Sequence, residues 1–269
     1  MSPLFESLLR HSMTLVQSGV ENSEALMVDE GKMFSDAESS EVPKFKLDLN
    51  DKEVNLEELE ELAAWPRLRT VRQLHLDANE FGDEGVELLA QTPALARLHT
   101  LSLAHNKLTD RSLRALAGSP YLTQLRALFI QYNRLGPEGL EALAGSEALA
   151  GLELLYLKVN PLGAEGVARL AASPRLRALR ELYLERVRMS DAGLEALCGS
   201  SLLDTVEKLY LGDNGLDARA VDLLCRSGHL KRLIALDLGK NPIPLSAEAI
   251  KERLRASPHL PAFKFLYFD

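Results

Sequence analysis

The sequence predicts an α/β solenoid, a curved horseshoe in which short parallel strands line the concave face and helices the convex face. Three observations carry this prediction. A Leu-x-Leu frame recurs with its first leucines at Leu47, Leu74, Leu101, Leu128, Leu155, Leu182, Leu209, Leu236 and Leu266, spaced by about 27 residues until a last step of about 30. In six of the frames an asparagine follows three places after the second leucine: Asn79, Asn106, Asn133, Asn160, Asn214 and Asn241. After each turn comes a segment such as Gly139-Leu140-Glu141-Ala142-Leu143-Ala144, whose apolar residues fall at helical spacing on one face.

Residues 1–43 stand outside the period and read as an N-terminal helical cap followed by an acidic linker. Leu4, Phe5, Leu8, Leu9, Met13, Leu15 and Val16 recur at helical spacing after Ser2-Pro3, a helix start, and Gly19 is a stop signal. From Glu21 to Glu41 the chain is acidic and Ser-rich, with Met27 and Met33 among polar neighbours. A solenoid needs its open core covered at the end, which is the role expected of the helix. Trp65 wants such cover, because its column otherwise holds Thr92, Ser119, Ser146, Ser173, Ser200, Ser227 and Ser257.

Residues 44–269 form the repeat domain, about eight repeats and a terminal strand. In each Leu-x-Leu strand, side-chain alternation sends both leucines to the core and the residue between them to the other face. The turn carries the asparagine and, two places on, an apolar anchor such as Phe81, Leu108 or Leu162. The helix ends at a Ser-Pro-x-Leu stretch such as Ser119-Pro120-Tyr121-Leu122, since proline cannot continue it. Strand, turn and helix repeat with one period, so the strands must be parallel.

These frames resemble the leucine-rich repeats of the ribonuclease-inhibitor type, and the short, Ala- and Leu-rich 27-residue unit is similar to repeats of bacterial proteins. The resemblance implies that Asn79, Asn106, Asn133, Asn160, Asn214 and Asn241 form a buried ladder bonded to turn backbone. Lys52 and Val187 stand where that ladder expects asparagine, so a local distortion is expected at Val187.

With 46% hydrophobic and 26% charged residues the composition is that of a folded, water-soluble chain. A net charge of −8 and a pI near 5.4 argue against a general nucleic-acid binder, and no Lys/Arg cluster is visible along the sequence. No apolar run approaches the ~18 residues that cross a bilayer, and no signal-peptide pattern opens the chain. Cys198 and Cys225 continue the alanine column of Ala63, Ala90, Ala117, Ala144 and Ala171, and equivalent positions on adjacent helices lie about 8–10 Å apart, too far for a disulfide. Two reduced thiols and no membrane segment point to the cytoplasm.

The residue between the leucines forms one column: Asp48, His75, Ser102, Phe129, Tyr156, Tyr183, Tyr210, Asp237 and Tyr267. Strands about 4.8 Å apart would set Phe129, Tyr156, Tyr183 and Tyr210 side by side as an exposed aromatic stripe. Tyr132, Lys158, Glu181, Glu185, Arg186, Lys208, Asp213 and Lys240 would give it a mixed-charge rim. Such amphipathic surfaces tend to bind proteins. A cross-strand packing ladder is the structural alternative, and the two can coexist. The partner-binding residues are therefore Phe129, Tyr132, Tyr156, Lys158, Tyr183, Glu185, Arg186, Tyr210 and Asp213.

Asp48, His75 and Ser102 occupy equivalent places on three adjacent strands, the residue types of a hydrolytic triad, but an open sheet face offers neither an oxyanion hole nor exclusion of water. His75, Asp77 and His105 project near one another without closing a metal shell. The recurring Gly85, Gly139, Gly166 and Gly193 mark backbone geometry and lack the Lys-Ser or Lys-Thr of a phosphate loop. The reading is a non-enzymatic protein-binding scaffold with no cofactor or metal, whose partner is another protein and not nucleic acid or membrane. The alternative is a regulator of a partner enzyme, of inhibitor or GTPase-activating type, with Arg186 or Arg188 as the projecting arginine. The final strand, Phe263 to Asp269, offers an edge to which a second copy can add to make a homodimer.

Overall fold

The protein is described here by a computed structural model that covers residues 1–16 and 44–268. A single ten-stranded open sheet runs in chain order. Its strands are β1 (Met13–Leu15), β2 (Phe45–Asp48), β3 (Val71–His75), β4 (Thr100–Ser102), β5 (Ala127–Phe129), β6 (Leu154–Tyr156), β7 (Glu181–Tyr183), β8 (Lys208–Tyr210), β9 (Ala235–Asp237) and β10 (Phe265–Tyr267). From β2 onward all pairings are parallel, and leucine faces leucine throughout: Leu47, Leu74, Leu101, Leu128, Leu155, Leu182, Leu209, Leu236 and Leu266 lie opposite one another in turn. A fixed period delivers this register, since equal insertions between strands return each frame to the same height.

One helix packs behind each strand from β2 to β9: α2 (Leu56–Ala63), α3 (Gly82–Ala90), α4 (Asp110–Ala117), α5 (Pro137–Gly145), α6 (Gly163–Ala171), α7 (Ser190–Cys198), α8 (Ala218–Arg226) and α9 (Ala247–Ala256). Their buried residues, such as Leu140 and Leu143 of α5 or Leu194 and Leu197 of α7, meet the strand leucines in one continuous core. Each fully buried leucine contributes about 1.5–3 kcal/mol. The recurring glycines let the helices approach closely. A Cβ on Gly193 would sit 3.2 Å from the Ala164 Cα of the preceding helix, and one on Gly85 would sit 2.7 Å from the Leu59 Cδ1 of α2.

At the N-terminus α1 (Pro3–His11) is capped by Ser2, whose Oγ accepts from the Phe5 N–H at 3.2 Å. Phe5 and Leu9 are buried as part of the same core that holds Leu47 and Leu59, and Trp65 is covered to 5% exposure. Met13 and Leu15, read from the sequence as part of the helix, instead form β1, which pairs antiparallel with β2. The reason is the outer edge of β2, whose backbone groups need partners: Asp48 N–H donates to the Ser12 carbonyl at 3.0 Å and Val16 N–H to Lys44 at 2.7 Å. Gly19 and the acidic stretch from Glu21 to Glu41, with Met27 and Met33, lie outside the described residues.

Asparagine side chains stitch the turns. Asn106 Oδ1 accepts from the N–H groups of Asn79 (3.0 Å) and Glu80 (2.8 Å), while its Nδ2 donates to Leu76 (2.8 Å) and Ala104 (3.1 Å) carbonyls. Asn79, Asn133, Asn160, Asn214 and Asn241 are likewise buried and bond across one repeat and back to their own. Val187 is fully buried in the asparagine slot and its main-chain N–H donates to Asn214 Oδ1 at 3.0 Å.

The turn that an asparagine at 187 would have served closes on itself: Leu162 N–H donates to the Asn160 carbonyl at 2.8 Å, and Gly163 N–H to Val187 at 2.9 Å. The same closure, Ile243 N–H to Asn241 at 2.8 Å, occurs in the last turn, which also has no following asparagine. Both turns carry proline, Pro161 and Pro242, where other turns hold Glu80, Lys107 or Arg188 at φ near +60°. Proline cannot take that φ and has no N–H left to satisfy, which suits a turn without its ladder acceptor.

A second ladder runs along the helix ends. Ser119, Ser146, Ser173 and Ser227 donate their hydroxyls to the carbonyls of Ala90, Ala117, Ala144 and Cys198 at 2.5–2.7 Å. That is the physical content of the hydroxyl column.

Candidate functional site

Each strand from β2 to β10 ends on the residue of the column, which it presents on the open face of the sheet. Parallel register sets His75 beside Ser102, Ser102 beside Phe129, and so on through Tyr156, Tyr183, Tyr210 and Asp237 to Tyr267. The rings touch in series. Phe129 meets Tyr156 edge-on with centroids 5.9 Å apart, Tyr156 meets Tyr183 at 4.4 Å, and Tyr183 stacks on Tyr210 at 4.2 Å with planes 6° apart. Tyr210 reaches across β9 to Tyr267, at 6.2 Å and 14°. Five rings thus form one half-buried apolar strip, and its last member, Tyr267, is 51% exposed. Burial pushes the Tyr156 hydroxyl up to about 12, with the Glu185 charge adding to it. Tyr183 is raised by burial and by the charge of Glu181, whose Oε2 accepts its hydroxyl at 3.0 Å.

Charged pairs flank the strip on both sides: Glu181 with Lys208 at 2.9 Å on one, Lys158 with Glu185 at 3.7 Å and Arg186 with Asp213 at 3.1 Å on the other. Glu185 departs from the exposed rim position that alternation assigned to it. It is 9% exposed, its Oε2 has no hydrogen-bond partner, and burial raises its carboxyl above the usual range. Gly212 and Gly239, one and two strands farther on, leave the floor low there. A Cβ on Gly212 would stand 3.0 Å from Asp237 Oδ2. Tyr132 lies apart from the strip, on the turns, where it stacks on His105 at 4.2 Å.

The polar end of the column is not a relay. Ser102 is buried and donates to Asp77 Oδ1 at 2.6 Å, not to His75, whose Nε2 is buried without a partner. Burial and the nearby Lys46 hold the His75 imidazole below its usual range. Burial also works against the Asp48 carboxylate, yet Lys46 at 2.9 Å and the Asn50 N–H bring it below its ordinary value. Among the described residues no group of three or more His, Cys, Asp or Glu side chains is arranged to hold a metal ion. Cys198 is buried, and burial pushes its thiol up to about 12. Cys225 is half-buried, and both thiols are free.

Sequence reasoning missed a cluster of basic residues. Arg72, His99 and Arg126 stand in one row at the lower sheet edge, with Lys44 and Arg97 beside them. The linear sequence hides it because each repeat supplies only one or two of its members. The signal was a column like any other, two places before each first leucine.

A family profile for the leucine-rich repeat matches residues 67–90, 97–117 and 121–144, about a quarter of the chain. With the strand-and-helix period and the open parallel sheet, this makes the fold a leucine-rich-repeat solenoid. No match is found among curated proteins. Among solved structures the chain is similar to the crystal structure of a TLR13–ssRNA13 complex, at 20% identity and a TM-score of 0.49. The likeness covers 80% of this chain and 27% of that one, so the chain spans about a quarter of that protein's length. No helix among the described residues is long and apolar enough to cross a membrane.

Proposed function

We propose that the chain is a protein-binding module whose open, concave sheet face takes a partner protein across the aromatic strip. The strip is the observation that carries this reading: five contacting rings from Phe129 to Tyr267 are left half-buried on a face with nothing packed over them among the described residues. Tyrosine contributes large, rigid contact area with a polar tip, which suits an interface centre rimmed by ion pairs. Phe129, Tyr156, Tyr183 and Tyr210 form the centre, with Lys158, Arg186 and Asp213 at the rim. Glu185 lies on the floor, and Tyr132 on the neighbouring turn edge. Arg186 is engaged by Asp213, which favours a binding role over that of an arginine inserted into a partner enzyme. A photoreactive phenylalanine analogue at Tyr156 should cross-link a partner in a cell extract while one at Arg111, on the helix side, should not. Equal cross-linking from both positions contradicts the reading.

Three further parts of the reading rest on smaller observations. Helices of eight to ten residues behind the strands support the ribonuclease-inhibitor type of repeat. Free Cys198 and Cys225 support a reducing compartment such as the cytoplasm. Phe265 and Tyr267, 55% and 51% exposed on β10, mark the edge at which a second copy would add. Light scattering on a Phe265→Lys, Tyr267→Lys variant tests that dimer: a parent mass no larger than that of the variant excludes it.

A further inference from the structure

The residues two places before each first leucine form a row along the lower sheet edge: Arg72, His99, Arg126, Glu153, Arg180 and Glu207. Main-chain bonds of 2.7–2.8 Å tie each to the next, from His99 N–H to the Arg72 carbonyl through to Glu207 N–H to Arg180. Neighbours in the row are therefore one strand spacing apart, about 4.8 Å. From Arg126 onward the charges alternate and pair, Arg126 with Glu153 at 3.8 Å and Arg180 with Glu207 at 2.7 Å.

Toward the N-terminus the alternation fails. His99 stands where a carboxylate would continue it, between two arginines. Burial, and then the like charge of Arg97, disfavours the charge on Arg72, while burial, and then Arg72, Arg126 and Lys44, disfavours one on His99. Arg72 itself is 7% exposed, and its Nη1 donates to the Arg69 and Val71 carbonyls at 3.0 and 3.1 Å. Among the described residues no carboxylate lies within 4.0 Å of Lys44, Arg67, Arg69, Arg72 or Arg97. A covered cation that has no counter-charge among the described residues is costly, so an anion brought to it is stabilising. Farther along the row the protein shows which anion fits between such arginines: a carboxylate.

We propose that the Arg72–His99–Arg126 end of this row, with Arg97, docks an acidic peptide segment of a protein partner, its carboxylates standing where Glu153 and Glu207 stand farther along. The patch spans three strands, about 10 Å, before Glu153 closes it, which is too short for the run of phosphates that nucleic-acid binding uses. The net charge of −8 opposes a polyanion in the same sense. Lys44, Arg67 and Arg69 raise the local positive potential and steer an acidic segment to this edge. The site lies off the aromatic strip and stands independently of the reading of that face.

The test is fluorescence anisotropy of the full chain with a labelled octaglutamate peptide, an octalysine peptide and an eight-nucleotide single-stranded DNA as three separate probes. The octaglutamate peptide is expected to bind, to weaken at least tenfold on Arg97→Glu with Arg126→Glu, and to weaken steeply between 50 and 300 mM salt, on the order of the counter-ion effect seen for several paired charges. Both arginines are exposed, so the variant retains the parent's circular dichroism and melting. Tyr156→Ala, on the aromatic strip, leaves peptide binding unchanged. Binding also raises the His99 imidazole pKa in an NMR titration, since carboxylates would then offset Lys44, Arg72 and Arg126 and add to the favourable influence of Gln124. No peptide binding, binding indifferent to the double variant, or tighter binding of the DNA would overturn the proposal.

Discussion

Tyr183 and Tyr210 lie ring on ring, 4.2 Å apart and 6° from parallel, although neither is needed to fill the core behind them. The leucines on either side of each already do that. A stacked pair of this kind is worth about 0.5–1.5 kcal/mol, far less than the leucine frame that carries it. The strip is thus weakly tied to folding, and its side chains can be exchanged while the scaffold remains.

Asn106 is the opposite case. Replacing it with alanine strands the part-buried Glu80 N–H and three buried groups, the Asn79 N–H and the Leu76 and Ala104 carbonyls, and about 3 kcal/mol of stability should be lost. A urea titration reads it as a lower midpoint. A loss below half that size would show that the ladder bonds are dispensable.

Val187→Asn, which restores the repeat pattern, should not stabilise. Leu162 N–H, one of the two donors such an oxygen takes elsewhere in the ladder, is already bonded to the Asn160 carbonyl, and Pro161 has no N–H, so the new side-chain oxygen would be buried with the Asn160 N–H alone to accept from. The single variant should unfold at lower urea than the parent, and adding Pro161→Lys should recover the loss. A single variant more stable than the parent contradicts this account of the two proline turns.

Leu9→Ala opens the core at its N-terminal end, since Leu9 is fully buried against the first repeat. The expected cost is about 2–5 kcal/mol, read by calorimetry. An unchanged melting temperature would reduce α1 to an appendage.

Glu185 gives the pH dependence. Burial raises its folded-state pKa above the unfolded value, so protonation favours the folded state. That contribution is fully present below the ordinary glutamate range and is lost as pH rises through the raised value. Glu185→Gln should therefore stabilise the chain at pH 7 and do so less at pH 4, measured as urea midpoints at both. A gain equal at both pH values would remove the carboxylate from the explanation.

Much of this was legible in the sequence, for a physical reason. A leucine at fixed spacing fixes the strand, the strand fixes which residue faces out, and equal spacing fixes register, so the column from Asp48 to Tyr267 could be written down before any coordinate. What was not legible depends on contacts between columns. Glu185 looks like a rim residue by alternation, and only packing against its neighbours shows it buried. Met13 to Leu15 fit a helical period as well as a strand, and the unpaired edge of β2 decides between them. The basic row was written in the sequence at Arg72, His99 and Arg126, but a charge cluster is sought along the chain, whereas a solenoid builds it across repeats. The proline at 161 was plain to see, and its meaning waited on Val187.

The most direct test of the central claim is affinity capture with mass spectrometry, comparing the parent with Tyr156→Ala, Tyr183→Ala, Tyr210→Ala in one chain, alongside the melting temperature of each. If the strip is a binding surface, proteins retained by the parent are lost from the triple variant while it still unfolds in one cooperative transition, its melting temperature lowered by about 2–4 °C for each kcal/mol of lost ring packing. An unchanged set of retained proteins, or a variant that no longer folds, would contradict it.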